Sequence, residues 1–393
     1  MKNDILDKND LLIWRDGVKN SSDEAAAVLP LLVHTKNVSF EWGKSNIECF
    51  IRQAKQLGMD VHIMYNWQEV FDWKGQNVLI VNGVDKEWLE EVTENLAVLQ
   101  MRIILIDGII NDECRSVSQV LFDQKEVIRS SLSLLRSKGR CCPALFGIQK
   151  NDTSDTSKAE AFAEQERSDA VYWFEKDMAG CFDAFYRDFE KYDSVICSND
   201  IVAVYFLSRC RENHILVPKQ LYVIGNCDLW ISSHVEPMLT TASYNKDAMI
   251  AVAIQLYRML SAFPNIMSSN VSLLADISER ASTGVVNKKV NNENVSRSLY
   301  QYDERFMENV SHILCPEILR IKKLDQTLSM CSQQDLLILQ RLADGSSYED
   351  ISAETFLTVD TVKYHIKKLY RLLEIHRRHE LTALLDKYSL KLV

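Results

Sequence analysis

A chain of 393 residues, 47% hydrophobic and 25% charged, reads as an ordinary soluble globular protein, long enough for two domains. Its formal net charge of −10 argues against a histone-like protein that coats DNA without specificity. No stretch approaches the roughly 20 uninterrupted apolar residues that a bilayer span requires. The opening MKNDILDKND is polar with both signs of charge and lacks the layout of a secretory signal, so a cytoplasmic location and no membrane partner are expected.

Most of the 10 cysteines, among them Cys49, Cys181, Cys197 and Cys210, fall inside apolar runs and read as small hydrophobes. Cys141 and Cys142 are adjacent, which suits neither a zinc site nor an ordinary disulfide; buried strand residues are the favoured reading over a redox pair. The 8 histidines form no HExxH, and neither a GxSxG nor a Walker loop occurs. An enzyme is therefore not expected, nor a metal or cofactor.

Residues 1–25 read as an N-terminal extension. From there short apolar runs alternate with helical patterns: a strand over 26–35, an amphipathic helix over 46–58 closed by Gly58, and strands at DVHIMY, NVLIVNG and RIILIDG, with the helix KEWLEEVTENLAVL between the last two. A second series follows: strand PALFGI, helix SKAEAFAEQERS, strand DAVYWF, helix MAGCFDAFYRDFEKY, strand SVICSND, helix IVAVYFLSRCRENH, strand LYVIGNCD and helix KDAMIAVAIQLYRML. Strands alternating with helices of this length imply parallel βαβ units and doubly wound sheets. Two such lobes without a glycine-rich phosphate loop suggest a cleft that closes on a small molecule beyond the carboxyl ends of the strands.

The stretch YDSVICSNDIVAVYFLSRCRENHILVPKQLYVIGNCDLWISSHVEPMLTTASYN resembles the effector domain of Lac-repressor-type regulators, a type I periplasmic-binding-protein-like fold. The matching positions are Asn199-Asp200 ending one strand, Val217-Pro218, Gly225 to Asp228 for the Gly-x-Asp-Asp turn, and Pro237 to Thr241; SERASTG closes the domain at Gly284. The resemblance covers residues 26–284 and implies ligand contacts from Asp107, Asn199, Asp200 and Asp228, with Asp123 also following a strand at an acidic position. Two departures stand out. Glu160 aligns with the family's sugar-binding arginine, and Cys227 with the first aspartate of the turn. Losing both removes charge-assisted hydrogen bonds that fix polar ligands, so an ordinary sugar is not the expected effector. Trp42, Phe40 and Trp230 near loop mouths offer stacking surfaces, although packing is the commoner role for a tryptophan. Asn199 and Asp200 are weighed evenly between capping the next helix and touching a ligand.

Residues 285–327 form the join. VVNKKVNNENVSRS is polar and asparagine-rich, as linkers are, and Leu299, Tyr302, Phe306, Val310 and Ile313 then mark an amphipathic helix that Pro316 interrupts before EILRIKKL. That stripe needs a partner, and pairing in a homodimer is the preferred reading.

The last segment, 328–393, is the most legible. Ser332 with Asp335 reads as a capping box, Leu336, Leu339 and Leu342 as a buried face, and Gly345 as the stop. Ser347 with Asp350 starts a short helix with Ile351 inward. Thr358 caps a longer helix whose Val359, Val362, Ile366, Leu369 and Leu373 share one face, while Thr361, Lys363, Tyr364, Lys367, Lys368 and Arg371 lie opposite. From Thr361 to Arg378 there are six basic residues, Arg377 among them, and one acidic residue, Glu374. A cationic island in an acidic chain suits insertion into the major groove of double-stranded DNA.

SQQDLLILQRLADGSSYEDISAETFLTVDTVKYHIKKLYRLLEIHRRHEL resembles the LuxR-type (GerE-like) four-helix DNA-binding domain, matching at Asp335, Gly345, Ile351, Thr361 to His365, and Arg377 or Arg378. The resemblance implies that Lys363, Tyr364 and Lys367 face bases or phosphates. It departs at Phe356, where the family often has glycine, and at Tyr364, where a small aliphatic residue is usual. The chain therefore reads as a two-lobed α/β effector domain followed by an all-α helix-turn-helix reader: a dimeric transcriptional regulator that senses a small molecule, with RNA polymerase an open further partner. A phosphorylated receiver is disfavoured because LLVHTKN and VLIVNG supply neither its acidic pair nor its aspartate. The standing alternative is a ligand-free dimeric scaffold whose effector-like part serves dimerisation or protein contacts.

Overall fold

The computed structural model describes residues 27–35, 41–73, 75, 77–83, 86–106, 116–150, 152–174, 177–285 and 316–393, without the side chains of 27, 41–46, 86 and 153. The linker and stripe expected over 286–315 lie outside these residues.

Two six-stranded sheets form the front of the molecule. The first has the order β11-β5-β4-β3-β1-β2, built from β1 (Ala27–Val33), β2 (Met59–Met64), β3 (Val78–Asn82), β4 (Arg102–Ile106), β5 (Val117–Phe122) and β11 (Val271–Leu273). All its pairings are parallel, with Leu31 opposite Ile80 and Ile80 opposite Ile104. Every residue of β3 and β4 is buried. That is why VLIV and IILI, flanked by the buried polar residues Asn82 and Arg102, are continuous apolar runs: parallel strands covered on both faces have no solvent side to make polar. Helices α1 (Glu41–Gln56) and α2 (Lys86–Val98) cover this sheet.

The second sheet has the order β12-β10-β9-β8-β6-β7. Its strands are β6 (Pro143–Ile148), β7 (Val171–Trp173), β8 (Ser194–Cys197), β9 (Tyr222–Asn226), β10 (Thr240–Ser243) and β12 (Asp276–Ser278), the last antiparallel to β10. The chain enters this lobe through α3 (Gln124–Ser137), whose cap Asp123 accepts from the amides of Lys125 and Glu126. Helices α4 (Thr153–Ala163), α5 (Met178–Asp188) and α6 (Asp200–Glu212) follow. The chain then returns to the first lobe through α7 (Lys246–Ala262) and β11, and crosses once more into β12. Three crossings between two α/β lobes make the expected two-lobed fold.

Several local expectations shift. α1 begins at Glu41, so Trp42 sits in its first turn rather than on a loop. α4 spans 153–163 instead of 157–168, because the Asp152 side chain accepts from the Asp155 amide and starts it early, while Gln165-Glu166-Arg167 offers nothing apolar to bury. The pair Cys141 and Cys142 is exposed, not buried in a strand; it precedes β6, with both amides donating to the Asp193 carboxylate at 2.8 and 3.2 Å. Cys49, Cys181, Cys197 and Cys210 are buried as expected, and burial pushes the Cys181 thiol up to about 12.

The C-terminal helices are α8 (Pro316–Ser329), α9 (Gln333–Ala343), α10 (Tyr348–Thr355), α11 (Val359–Leu373) and α12 (Arg378–Tyr388). They do not stand apart. α8 packs on α6 and on the turn at Trp230–Ser233, and α12 packs on α6. One cluster of buried side chains therefore runs without a break from Phe182 and Phe206 through Ile321 and Leu328 to Leu339, Ile366 and Leu381. No helix among the described residues is long and apolar enough to cross a membrane.

This seam holds one ionisable group at a cost. Asp325 of α8 is buried, its Oδ1 accepting from the Ile231 amide at 2.8 Å, and burial raises its carboxyl from 3.8 to about 7. The folded state keeps the proton while the unfolded chain loses it, so this group lowers stability progressively as pH rises from about 4 to about 7. Asp325→Asn keeps the acceptor and removes the charge. The free energy of unfolding across that window should fall less in the variant than in the wild type, by ~1.4 kcal/mol per unit of raised pKa. Equal pH dependence of the two proteins would contradict the buried acid.

Candidate DNA interface and effector cleft

The reader is positioned by its caps. Ser332 and Asp335 form a reciprocal capping box at the start of α9, and Ser347 and Asp350 form another at α10. Thr358 accepts from the Thr361 amide at the start of α11. Asp335 also reaches across to the next helices, its Oδ1 lying 2.7 Å from Nδ1 of His365 and so tying α9 to the middle of α11. Although burial opposes it, the hydrogen bonds from His365 and Ser332 hold the Asp335 carboxyl below its ordinary range. Arg378 donates to the Ser346 carbonyl and so fixes α12 against the turn after Gly345, whose φ of +102° suits glycine.

On this frame α11 buries Val362, Ile366, Leu369 and Leu373. Lys363, Tyr364, Lys367, Lys368 and Arg371 are exposed on its other side, with Thr361 half-buried beside them; Arg377, the cap of α12, is exposed as well. Among the described residues Lys363 has only a loose, solvent-exposed pairing with Asp360 at 3.6 Å, so its charge remains available. The docking of α8 and α12 onto α6 leaves this cationic side facing solvent. Between α10 and α11, Phe356 takes a left-handed conformation at φ +56°, where glycine was expected.

The cleft candidates separate into two groups. At the carboxyl edge of the second sheet, Asn199, Asp200, Cys227 and Asp228 come together. Asn199 caps α6, accepting from the Val202 amide. Asp200 is fully buried: Oδ1 accepts from the Thr241 hydroxyl at 2.6 Å and Oδ2 from the Leu229 amide at 2.7 Å, and burial pushes its carboxyl well up. A Cβ on Gly225 would lie 2.1 Å from Asp200 Oδ1, which explains that glycine. Asp228 pairs with Arg280 at 2.6 Å and accepts from Ser232. In this conformation Asp200 and Asp228 hold the turn together, and Cys227 and Asp228 both have positive φ, +105° and +48°.

The remaining candidates lie elsewhere. Glu160 turns away to pair with Lys125 of α3 at 2.8 Å. The charged residues that α4 does bury are Asp155 and Lys158; Lys158 donates to Asp155 and to the Ser198 carbonyl, both at 3.0 Å, and, burial notwithstanding, Asp155 holds its ammonium above the ordinary lysine range. Asn226 donates to the same carbonyl at 3.4 Å, and Tyr244 donates to Asn226 at 2.6 Å and to Gln124 at 3.1 Å. This Lys158–Asn226–Tyr244–Gln124 group sits where the chain crosses between lobes. Sequence reasoning missed it, because a lysine in SKAEA carries no periodic signal of burial. Asp107 and Phe40 lie outside the described residues, as does the side chain of Trp42.

One loop joins both sites. After Asp228, Trp230 is stacked on His234 with centroids 3.6 Å apart, a packing role rather than an open platform. The same turn gives its Ile231 amide to Asp325 of α8. Beyond it, the His234 carbonyl accepts from the Lys391 amide at 2.8 Å, Val235 bridges Leu390, and the Glu236 amide donates to the Ser389 carbonyl at 2.9 Å. Arg211 of α6 adds a bond to the Lys387 carbonyl at 2.9 Å.

Comparison with known proteins agrees with these two halves. A family model described as a periplasmic binding protein-like domain matches residues 148–283, and one for bacterial regulatory proteins of the luxR family matches 329–385. A nitrate/nitrite response regulator protein homolog from Haemophilus influenzae is 35% identical over 60 residues, which are 15% of this chain and 29% of that protein. The match thus spans less than a third of that relative's length. Among solved structures, a LacI family transcriptional regulator from Silicibacter pomeroyi aligns with a TM-score of 0.51 at 14% identity, over 65% of this chain and 98% of that one. A transcriptional regulator CelR–cellobiose complex aligns with a TM-score of 0.51 at 14% identity, over 65% and 84%. At such identities the likeness concerns the fold. The chain carries a two-lobed fold whose residues 148–283 match a periplasmic binding protein-like domain, joined to C-terminal helices whose residues 329–385 match the luxR-family domain.

Proposed function

We propose that the protein is a DNA-binding transcriptional regulator in which the two-lobed domain senses a small molecule and adjusts the reader. The observation that carries this reading is the loop from Cys227 to Pro237. One end belongs to the carboxyl-edge turn held by Asp200 and Arg280, and the other is hydrogen-bonded to α8 and to residues 389–391 of the reader. A ligand that displaces this turn must strain or release those bonds, which is how differential contacts in two states couple two sites.

In this reading Thr361, Lys363, Tyr364, Lys367, Lys368, Arg371 and Arg377 meet DNA, with α11 in the major groove. Asn199, Cys227 and Asp228 border the effector together with Lys158 and Asn226; Asp200 supports them from beneath. Trp42 and Asp107 stay candidates for the same ligand from the sequence alone. A homodimer places two readers on one face of the duplex, so a small change in their spacing alters affinity. Replacing the sugar-binding arginine and aspartate by Glu160 and Cys227 supports an effector other than an ordinary sugar.

Lys363→Ala and Lys367→Ala should each weaken binding to genomic fragments about equally across sequences. Each should also lower the salt slope by about 1, measured in gel-shift titrations at several salt concentrations. Unchanged binding in both would mean that another surface holds the DNA.

A metabolite panel screened by thermal shift tests the sensor. A true effector at about 100 times its Kd raises stability by ~2.7 kcal/mol. It should also change the Kd for DNA, and DNA should change its own affinity by the same factor. A stabilising compound with no effect on DNA affinity would break the coupling, and no thermal shift at all would favour the ligand-free scaffold.

A further inference from the structure

We infer that Phe356 is a DNA-contacting residue, an apolar ring at the groove edge that adds sequence preference to the cationic side of α11. This rests on the DNA-reading role proposed above and goes beyond it. The residue breaks two local rules at once. Its φ of +56° lies in the left-handed region, where a side chain other than that of glycine, asparagine or aspartate is strained. Its side chain is also 95% exposed, more than any other large hydrophobic residue among those described.

Neither cost is recovered among the described residues. The turn is already fixed without the ring: Ser352 donates to the Leu357 carbonyl and Gln334 to the Thr355 carbonyl at 3.2 Å. Leu357, the next residue, supplies the apolar anchor by packing against the core. A strained and solvated phenyl group therefore points to a contact made outside the free protein. Its place names the partner. Phe356 comes two residues before Thr358, the cap of α11, and the N-terminal end of a recognition helix is the end that approaches base edges. Thr361, Lys363 and Tyr364, itself 67% exposed, follow within the first turns of that helix. An apolar ring there meets two apolar features of a duplex, the thymine methyl and the deoxyribose face.

The test uses the full chain and a random-sequence duplex library, from which the wild type enriches its preferred sequence. Phe356→Gly removes both strain and ring, whereas Phe356→Ala removes the ring and keeps the strained backbone. Phe356→Gly should raise the melting temperature by a few degrees while weakening binding to the enriched duplex roughly tenfold. Phe356→Ala should weaken binding by a similar factor without that gain. The salt slope should stay unchanged in both, since a phenyl ring neutralises no phosphate. Deoxyuridine in place of thymine identifies the contact: weaker wild-type binding assigns the methyl, and unchanged binding assigns the sugar. Wild-type affinity and enriched sequence in both variants would overturn the inference, because the strain would then serve nothing. A wild-type chain that enriches no sequence would remove the DNA-reading role itself, and that of Phe356 with it.

Discussion

The structure depends on the apolar seam between α6 and the helices α8 and α12. Helix α6 is buried along nearly all its length, with Ile201 through Ser208 and Cys210 inaccessible, because one side covers the second sheet and the other receives the reader. A helix at the surface of an isolated lobe would keep a polar face. Burial on all sides makes the reader part of the lobe's own core, so the orientation of α11 relative to the sheet is set by packing and not by a tether. Close-packed interiors transmit displacement instead of absorbing it.

The polar interactions around that seam divide into latches and a weak point. Asp200 and the Asp228–Arg280 pair hold the carboxyl-edge turn from within, each with well-placed donors. Among the described residues Asp325 has only the Ile231 amide to offset its burial, and its carboxyl rises to about 7, while that of Asp335, met by His365 and Ser332, falls. Two aspartates in the C-terminal helices thus titrate in opposite directions because burial dominates at Asp325, whereas at Asp335 the donors His365 and Ser332 outweigh it.

Much of the reader was legible from local rules. The caps at Ser332, Ser347 and Thr358, the stop at Gly345 and the buried stripe of α11 each arise from interactions within a few residues, and all appear as read except that Val359, at the start of the stripe, is only half-buried. In the two-lobed domain the long apolar strands were legible for the same reason. The strands β10, β11 and β12 were not. They are three or four residues long, and TTAS is polar because its hydroxyls serve Asp200 and the 280–283 segment rather than a core. Glu160 and Lys158 show the same limit at the site. A shift of two positions along α4 exchanges an exposed ion pair with α3 for a buried ammonium at the sheet edge, and no residue pattern in SKAEA distinguishes them.

What the residues determined by themselves, then, was the identity of the parts: two α/β lobes, a four-helix reader and the cationic side of α11, all encoded by periodicity, capping and turn chemistry acting over short distances. Only the tertiary structure decided how the parts meet. It brought Ile231 to Asp325, Val235 to Leu390 and α6 beneath both domains, across separations of 94 and more residues. Such contacts follow from which apolar surfaces fit together in space, and apolar attraction is non-directional, so hydrophobicity along the chain marks a surface for burial without naming its partner.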